Sequence, residues 1–251
     1  MIPSLYILEQ EQQFRKYNKI MKYYPDTGIH RRALYPKHMK FFEAGKTHRE
    51  RCMMAANRIG KTDAACFELT SHLTGQYPDW WKGKRFRYPV VAWIAGDTST
   101  TTRDILQKKL FGEYNDIGSG FIPGQYIVKT TNKPGIREAI DTATMKHFVD
   151  GKFDGYSSIG IKSYDQKRKS FQGGKPDIIV LDEEPPNEIY VECLLRTMTN
   201  NGLIILTFTP LMGMTELVRS FLEHQDLTPV DREPGFQAFD EDKVESVVGN
   251  V

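Results

Sequence analysis

No apolar run in this chain approaches the ~18–20 residues that a membrane-spanning helix needs, so the sequence predicts no membrane partner. Cysteine is scarce: Cys52, Cys66 and Cys193 are far apart and odd in number. Neither a disulfide framework nor a thiolate metal site follows from that spacing, and buried thiols in a reducing compartment are expected. The six histidines show no ligand spacing, which argues against zinc. Charge of one sign is lacking too, since 34 Lys and Arg against 32 Asp and Glu leave a net charge of only +2. That excludes a strongly basic tail but not a local basic groove, because affinity for phosphates follows the charges placed near them. The opening MIPSLYILEQEQQF has no basic stretch ahead of its short apolar one and turns polar at once. It reads as no signal peptide, and a cytosolic protein is expected. There is no internal repeat and no low-complexity segment.

The sequence does have length and apolar content. With 251 residues, 39% hydrophobic and 12% aromatic, it can build one large domain or two small ones. Residues 5–24 carry apolar positions at helical spacing, and Pro36–Ala44 reads as a helix stopped by Gly45. Beyond that, apolar strands alternate with helical segments. Strands are predicted at Cys52–Ala56, Val90–Ala95, Tyr126–Thr130, Thr144–Val149, Ser158–Tyr164, Ile178–Leu181 and Leu203–Phe208. Helices are predicted at Thr62–Leu73, Ser99–Leu110 and Glu188–Met198. Such alternation signals a parallel sheet covered on both faces. Asp150–Gly155 is a good hairpin loop, making its two strands an insertion or an antiparallel edge.

Two stretches carry chemistry. AANRIGKT comprises Ala55, Ala56, Asn57, Arg58, Ile59, Gly60, Lys61 and Thr62. It matches the phosphate-loop pattern G-x-x-x-x-G-K-[ST] except that alanine stands first. An apolar strand leads in and a helix follows, as phosphate binding by backbone amides at a helix start demands. Gly60 allows close backbone approach, Lys61 suits the β- and γ-phosphates, and the Thr62 hydroxyl suits magnesium. Alanine at 55 is acceptable if its φ is negative. The alternative is a surface loop that happens to contain GKT. PDIIVLDEE runs four apolar residues into Asp182, Glu183 and Glu184. An acid at a strand tip near a phosphate loop can hold the magnesium shell, and a second can orient the attacking water. Adjacent strand positions point apart, so Asp182 and Glu183 can divide those roles. Glu184 reads as a helix-start or surface charge. The alternative is a core strand capped by solvated acids. A third strand end, Thr207-Phe208-Thr209-Pro210, places small hydroxyls where they can touch the γ-phosphate or the water. Otherwise it is a strand followed by a Pro-stopped turn.

Taken in order, the altered phosphate loop AANRIGKT, the acidic strand IIVLDEE followed by PP, and LTFTP ahead of LMGMTEL resemble the large terminase subunit of tailed bacteriophages, specifically its N-terminal ATPase domain. The stretch GQYPDWWKGKRFRYPVVAWIAGDT is similar to that family's link from the phosphate-loop helix to the next strand. The resemblance spans residues 35–221. It implies an α/β P-loop fold of the additional strand–catalytic glutamate type, with helices on both faces of a mostly parallel sheet and a small lid subdomain. By motif position it implies Lys61 and Thr62 as phosphate and magnesium contacts, Asp182 as the magnesium acid and Glu183 as the catalytic glutamate. Thr207 and Thr209 become coupling residues. Tyr35 or His38 would serve the adenine, since the glutamine common there is absent. The arginine place before the acidic strand holds Gln172, leaving Arg58, Arg168 and Arg196 as finger candidates, with Arg58 closest in sequence to the phosphates. The resemblance further implies ATP and Mg2+ as cofactors, double-stranded DNA as the cargo, and a portal protein and small terminase subunit as partners. It implies self-association into a ring and a host-cytoplasm location. It divides the chain into an ATPase domain at 1–222 (N-terminal helices plus RecA-like core) and a lid or linker segment at 223–251 leading toward an absent nuclease domain.

Alternatives are another nucleic-acid-dependent ATPase of helicase type, a nucleotide-binding packaging adaptor without turnover, and, less well matched, a small-molecule kinase. Two basic patches stand outside these motifs. Trp80-Trp81 with Lys82, Lys84, Arg85 and Arg87 is either nucleic-acid contact or core or subdomain-interface packing, and Lys162 with Lys167-Arg168-Lys169 is either a solvated loop or a DNA-phosphate contact or intersubunit finger.

Overall fold

A computed structural model of the chain describes residues 5–222 and 247–248. Its sheet has strands β1 (Glu50–Met54), β2 (Val91–Gly96), β3 (Ile127–Asn132), β4 (Ile140–Val149), β5 (Lys152–Ser163), β6 (Ile178–Asp182), β7 (Leu203–Phe208) and β8 (Val247–Val248). They lie in the order β3-β4-β5-β2-β6-β7-β1-β8. The run β5-β2-β6-β7-β1 is parallel throughout. β3, β4 and β8 pair antiparallel at the edges. The helices are α1 (Leu5–Tyr17), α2 (Pro36–Ala44), α3 (Lys61–Thr74), α4 (Ser99–Thr102), α5 (Lys108–Phe111), α6 (Asn187–Thr197) and α7 (Glu216–Leu222).

Strand periodicity explains how the layers form. Successive side chains of a strand point to opposite faces. Ile178 and Val180 therefore join one core with Met53, Ile205 and the apolar side of α3, while Ile179 and Leu181 join a second core with Ile189 and Cys193 of α6 and Leu217 of α7. With both faces covered, β6 and β7 are apolar along their whole length, as parallel strands are. The same parity sends Asp182 and Thr207, direct neighbours in the β6–β7 register, toward the α3 side.

Several elements depart from the sequence expectation. The loop expected over Asp150–Gly155 shrinks to a two-residue turn, Asp150-Gly151, and β5 already runs from Lys152. Both turn residues have positive φ (50° and 77°), the mirror-image turn whose twist suits a hairpin and which Asp-Gly favours. The hairpin is the antiparallel edge of the main sheet. β4 starts four residues before the expected Thr144, because Ile140, Ala143 and Met145 still pack into the core. The helix expected over Ser99–Leu110 contains a π-helical stretch, Arg103–Gln107, between α4 and α5. At the N-terminus α1 ends at Tyr17, and Lys19–Lys22 is a short 3-10 turn. Trp80 and Trp81 pack against Phe42 and Phe67, as core residues rather than a stacking platform. Of the 223–251 segment expected to form a lid or linker, all but Val247–Val248 lies outside the described residues.

Candidate functional site

The C-terminal ends of β1, β6 and β7 meet at one edge of the sheet, where ligands of open α/β sheets bind. β1 feeds the phosphate loop directly, with Ala55 N still bonded to Phe208 O (3.3 Å). Within the loop, the non-glycine residue with positive φ is Arg58 (68°), not Ala55. Alanine is tolerated at the first loop position for that reason. Gly60 (φ 87°) caps α3, and Ala64 N closes the first helical turn on Gly60 O (2.9 Å).

Lys61 points back across the loop. Its Nζ donates to Ala55 O (2.8 Å), Ala56 O (2.7 Å) and the Thr209 hydroxyl (2.9 Å). Burial holds its pKa below the usual lysine value, opposed by the charges of Glu183 and Asp182. Thr209 also lies 2.8 Å from Asn57 Oδ1, tying the tip of β7 to the loop.

The Asp182 carboxylate is buried on the α3 face. Its Oδ1 accepts from the hydroxyls of Thr62 (2.9 Å) and Thr207 (2.7 Å). Burial pushes its pKa up to about 6, opposed by those two hydroxyl donors. Three segments far apart in sequence therefore converge: the loop through Lys61 and Thr62, β6 through Asp182, and β7 through Thr207 and Thr209. A carboxylate beside two hydroxyls is an all-oxygen donor set, which fits a hard cation such as magnesium.

Glu183 does not continue the strand, as the alternation argument expects. β6 ends at Asp182, and Glu183 turns into the left-handed region (φ 65°). The turn is held by Glu183 N donating to Thr207 O (2.9 Å). It is also held by the buried Tyr164 hydroxyl, which lies 3.0 Å from Asp182 O and 3.1 Å from Glu183 O. The Glu183 side chain is exposed, and among the described residues its carboxylate has no hydrogen bond or ion pair. A non-glycine residue in that conformation costs roughly 1–2 kcal/mol and aims the carboxylate away from the path Asp182 follows. Sequence reasoning did not single out Tyr164; a tyrosine at a strand end carries no signal of its own. Glu184 accepts a 2.5 Å bond from the Thr215 hydroxyl, which also receives Val218 N at the start of α7.

The remaining site candidates separate. Arg58 is exposed on the loop with no ion pair among the described residues, whereas Arg168 and Arg196 both bind the buried Glu192. His38 lies beneath the loop: a Cβ on Gly60 would come 3.3 Å from its ring. Its Nδ1 faces the Tyr24 hydroxyl (2.8 Å), and burial pushes its pKa down to about 4. Tyr35 stacks on His38 (ring centroids 5.2 Å apart) and remains partly exposed.

A parallel sheet with β7 inserted between the phosphate-loop strand and the acidic strand, and with a lysine loop facing an aspartate tip, defines a P-loop nucleoside-triphosphate-binding fold. The family described as terminase large subunit, T4likevirus-type, N-terminal, matches residues 52–243. The large terminase subunit of Salmonella phage P22 is 37% identical over 239 residues, which are 89% of this chain and 46% of that protein. The chain spans about half the length of that relative. Among solved structures, a variant of the large terminase ATPase domain of Thermus phage P74-26 shares the fold, with a TM-score of 0.50 at 19% identity over 73% of each chain. The chain belongs to the terminase large subunit family and corresponds to its N-terminal part.

Proposed function

We propose that this chain hydrolyses ATP with magnesium and powers the movement of double-stranded viral DNA into a procapsid. One observation carries the reading: the 2.9 Å bond from Thr62 to Asp182, which joins the phosphate loop to the acidic strand tip. In this reading the loop amides from Ala56 to Thr62 cradle the phosphates, and Lys61 leaves the carbonyls of Ala55 and Ala56 for the β- and γ-phosphates. Thr62 and Asp182 hold magnesium, which when bound neutralises charge building on the phosphate oxygens. Glu183 orients a water in line with the γ-phosphorus and takes its proton as the bond to the β-γ bridging oxygen breaks, releasing ADP and phosphate. Arg58 supplies positive charge from the same chain. Tyr35 offers a face to the adenine, with His38 as the buttress behind it.

Coupling follows from the same contacts. Thr209 bonds Lys61 and Thr207 bonds Asp182, so a change at the terminal phosphate reaches the tip of β7. From there the loop over 209–215 leads to α7, whose first turn is pinned to Glu184 through Thr215. The unit at 1–222 is the motor, working as a ring of copies with a portal protein and a small terminase subunit in the host cytoplasm. Among the described residues no helix is long and apolar enough to cross a membrane. The test is ATP turnover with and without duplex DNA for the wild type and Glu183→Gln. The reading expects DNA-responsive turnover that falls at least a hundredfold in the variant while ATP still binds. Binding without turnover in the wild type would reduce the site to an adaptor's.

A further inference from the structure

At the opposite end of the sheet from the phosphate loop lies a second concentration of positive charge. The connection from α2 into β1, the turn over 82–85 and the start of β7 enclose an open cleft of about 640 Å³ floored by Trp81. It sits at the N-terminal ends of the parallel strands, so the length of β1 separates it from the loop, about 17 Å at 3.3 Å per residue. The basic-aromatic stretch contributes its tryptophans to the core and Lys82, Lys84 and Arg85 to this cleft, while Arg87 pairs with Asp150 on the edge hairpin. The turn is firmly built. Trp81 Nε1 donates to Lys84 O (3.0 Å), Phe86 N donates to the Tyr77 hydroxyl (2.9 Å), and at Gly83 a Cβ would meet Phe42 O at 2.3 Å.

Five cations line the cleft: Lys46, Arg49, Lys82, Lys84 and Arg85. None forms an ion pair among the described residues, and Glu43 is the one carboxylate lining it there. Arg49 is half-buried and reaches carbonyls alone, Thr197 O (3.2 Å) and Gly202 O (3.4 Å). Lys84 is half-buried too, and burial together with the charges of Arg49 and Arg51 holds its pKa below the usual value, opposed by the charge of Asp177. Half-buried like charges that form no ion pair are costly. Arg49 and Arg85 also serve the fold, Arg85 through the carbonyls of Pro78 and Trp81 (3.4 Å each), and Lys84 lies over the Phe86 ring. Lys46 and Lys82 make no side-chain hydrogen bond among the described residues, and the core beneath is already closed by Trp81, Phe42 and Phe67.

We propose that this cleft binds the phosphodiester backbone of nucleic acid, by charge and not by base sequence. Five cations spread round an open cleft suit a polyanion better than a single phosphate. A nucleic-acid backbone supplies closely spaced charges and releases its counterions when they are neutralised. Lining cations without an ordered set of amide side chains give positioning contacts, not base readout. The inference leans on the proposed motor function for the choice of a duplex probe, and it concerns a surface separate from the nucleotide site.

The test measures binding of the full chain to a fluorescent 30-base-pair duplex across a range of salt. The variant carries Lys46→Gln, Lys82→Gln and Lys84→Gln, and an equal-charge control carries Lys129→Gln, Lys146→Gln and Lys152→Gln at exposed positions of β3, β4 and β5. Both are checked for unchanged thermal unfolding. At ~0.9 per lost phosphate contact, the cleft variant should flatten the slope of log affinity against log salt by about 2–3. It should also weaken binding at 50 mM salt more than about tenfold, with the control close to wild type. Basal ATP turnover, measured without DNA, should persist in the cleft variant. Loss of basal turnover in the wild type would count against the nucleotide site and leave this binding result standing. Equal losses in both variants, or none in either, would overturn the proposal. So would saturation of the cleft by millimolar inorganic phosphate that leaves duplex binding untouched, or polyglutamate binding lost in the cleft variant while duplex binding stays.

Discussion

The left-handed backbone at Glu183 makes a prediction in which stability and activity move in opposite directions. Glu183→Ala deletes the carboxylate and keeps the penalty of a Cβ at φ 65°, roughly 1–2 kcal/mol. Glu183→Gly deletes the carboxylate and relieves that penalty, at a cost of ~0.5–1 kcal/mol in unfolded-chain entropy. The glycine variant should therefore be the more stable of the two by about 0.5–1 kcal/mol. For a chain of this size that is a rise in melting temperature of about 1–4 °C. At an ordinary helical position the sign reverses: at the exposed Val191 of α6, glycine should fall below alanine by about 1 kcal/mol. Both Glu183 variants should lose turnover by about 10²–10⁴, the range for removing a positioned general base. Thermal unfolding of the four proteins and steady-state phosphate release supply the numbers. If Glu183→Gly melted below Glu183→Ala, the strained turn held by Tyr164 and Thr207 would not exist in the protein. If either variant kept wild-type turnover, Glu183 would not be the base.

Three further outcomes follow from buried groups. His38, with a folded pKa of about 4 against 6.5 unfolded, is held neutral in the fold. The unfolded chain binds the proton first, so stability is full above pH 6.5 and should fall by ~3 kcal/mol as pH drops toward 4; His38→Leu should flatten that part of a pH-dependent denaturation series. Arg51 and Glu68, both fully buried and paired at 2.7 Å, should show strong coupling: either Arg51→Met or Glu68→Leu alone should cost about 3–5 kcal/mol, and the double variant less than the sum, by urea unfolding. Tyr164→Phe removes the hydroxyl held against the carbonyls of Asp182 and Glu183. It should cost about 1–3 kcal/mol and lower kcat more than ATP affinity, since it shifts the Glu183 turn and leaves the phosphate loop alone.

Much of the architecture is legible in the sequence because it rests on local rules. Leu203–Phe208 and Pro36–Ala44 have the predicted boundaries, since an unbroken apolar run and a Pro-to-Gly interval each carry their own limits. The family resemblance rests on the same motifs and is shown by the matches to terminase large subunits. The neighbour relations are less legible. No local pattern says that β7 lies between β1 and β6, yet that order is what brings Thr209 to Lys61 and Thr207 to Asp182. The turn at Glu183 escaped because alternation continues a strand until something stops it, and what stops this one is Tyr164 from the distant β5 end. The inward turn of His38 escaped for a similar reason: its partner Tyr24 lies outside the helix that carries it. The cleft cations were visible as a basic stretch, but half of the cleft comes from the approach to β1, some 35 residues earlier.

The central claim is that Lys61, Thr62, Asp182 and Glu183 surround one triphosphate. A crystal structure with magnesium and a non-hydrolysable ATP analogue tests it most directly. The account predicts Lys61 Nζ released from Ala55 O and Ala56 O and bonded to the terminal phosphates, the metal beside Thr62 and Asp182, and the Glu183 carboxylate across from the γ-phosphorus with a water between. A triphosphate seated elsewhere, with Lys61 still on those two carbonyls, would contradict it.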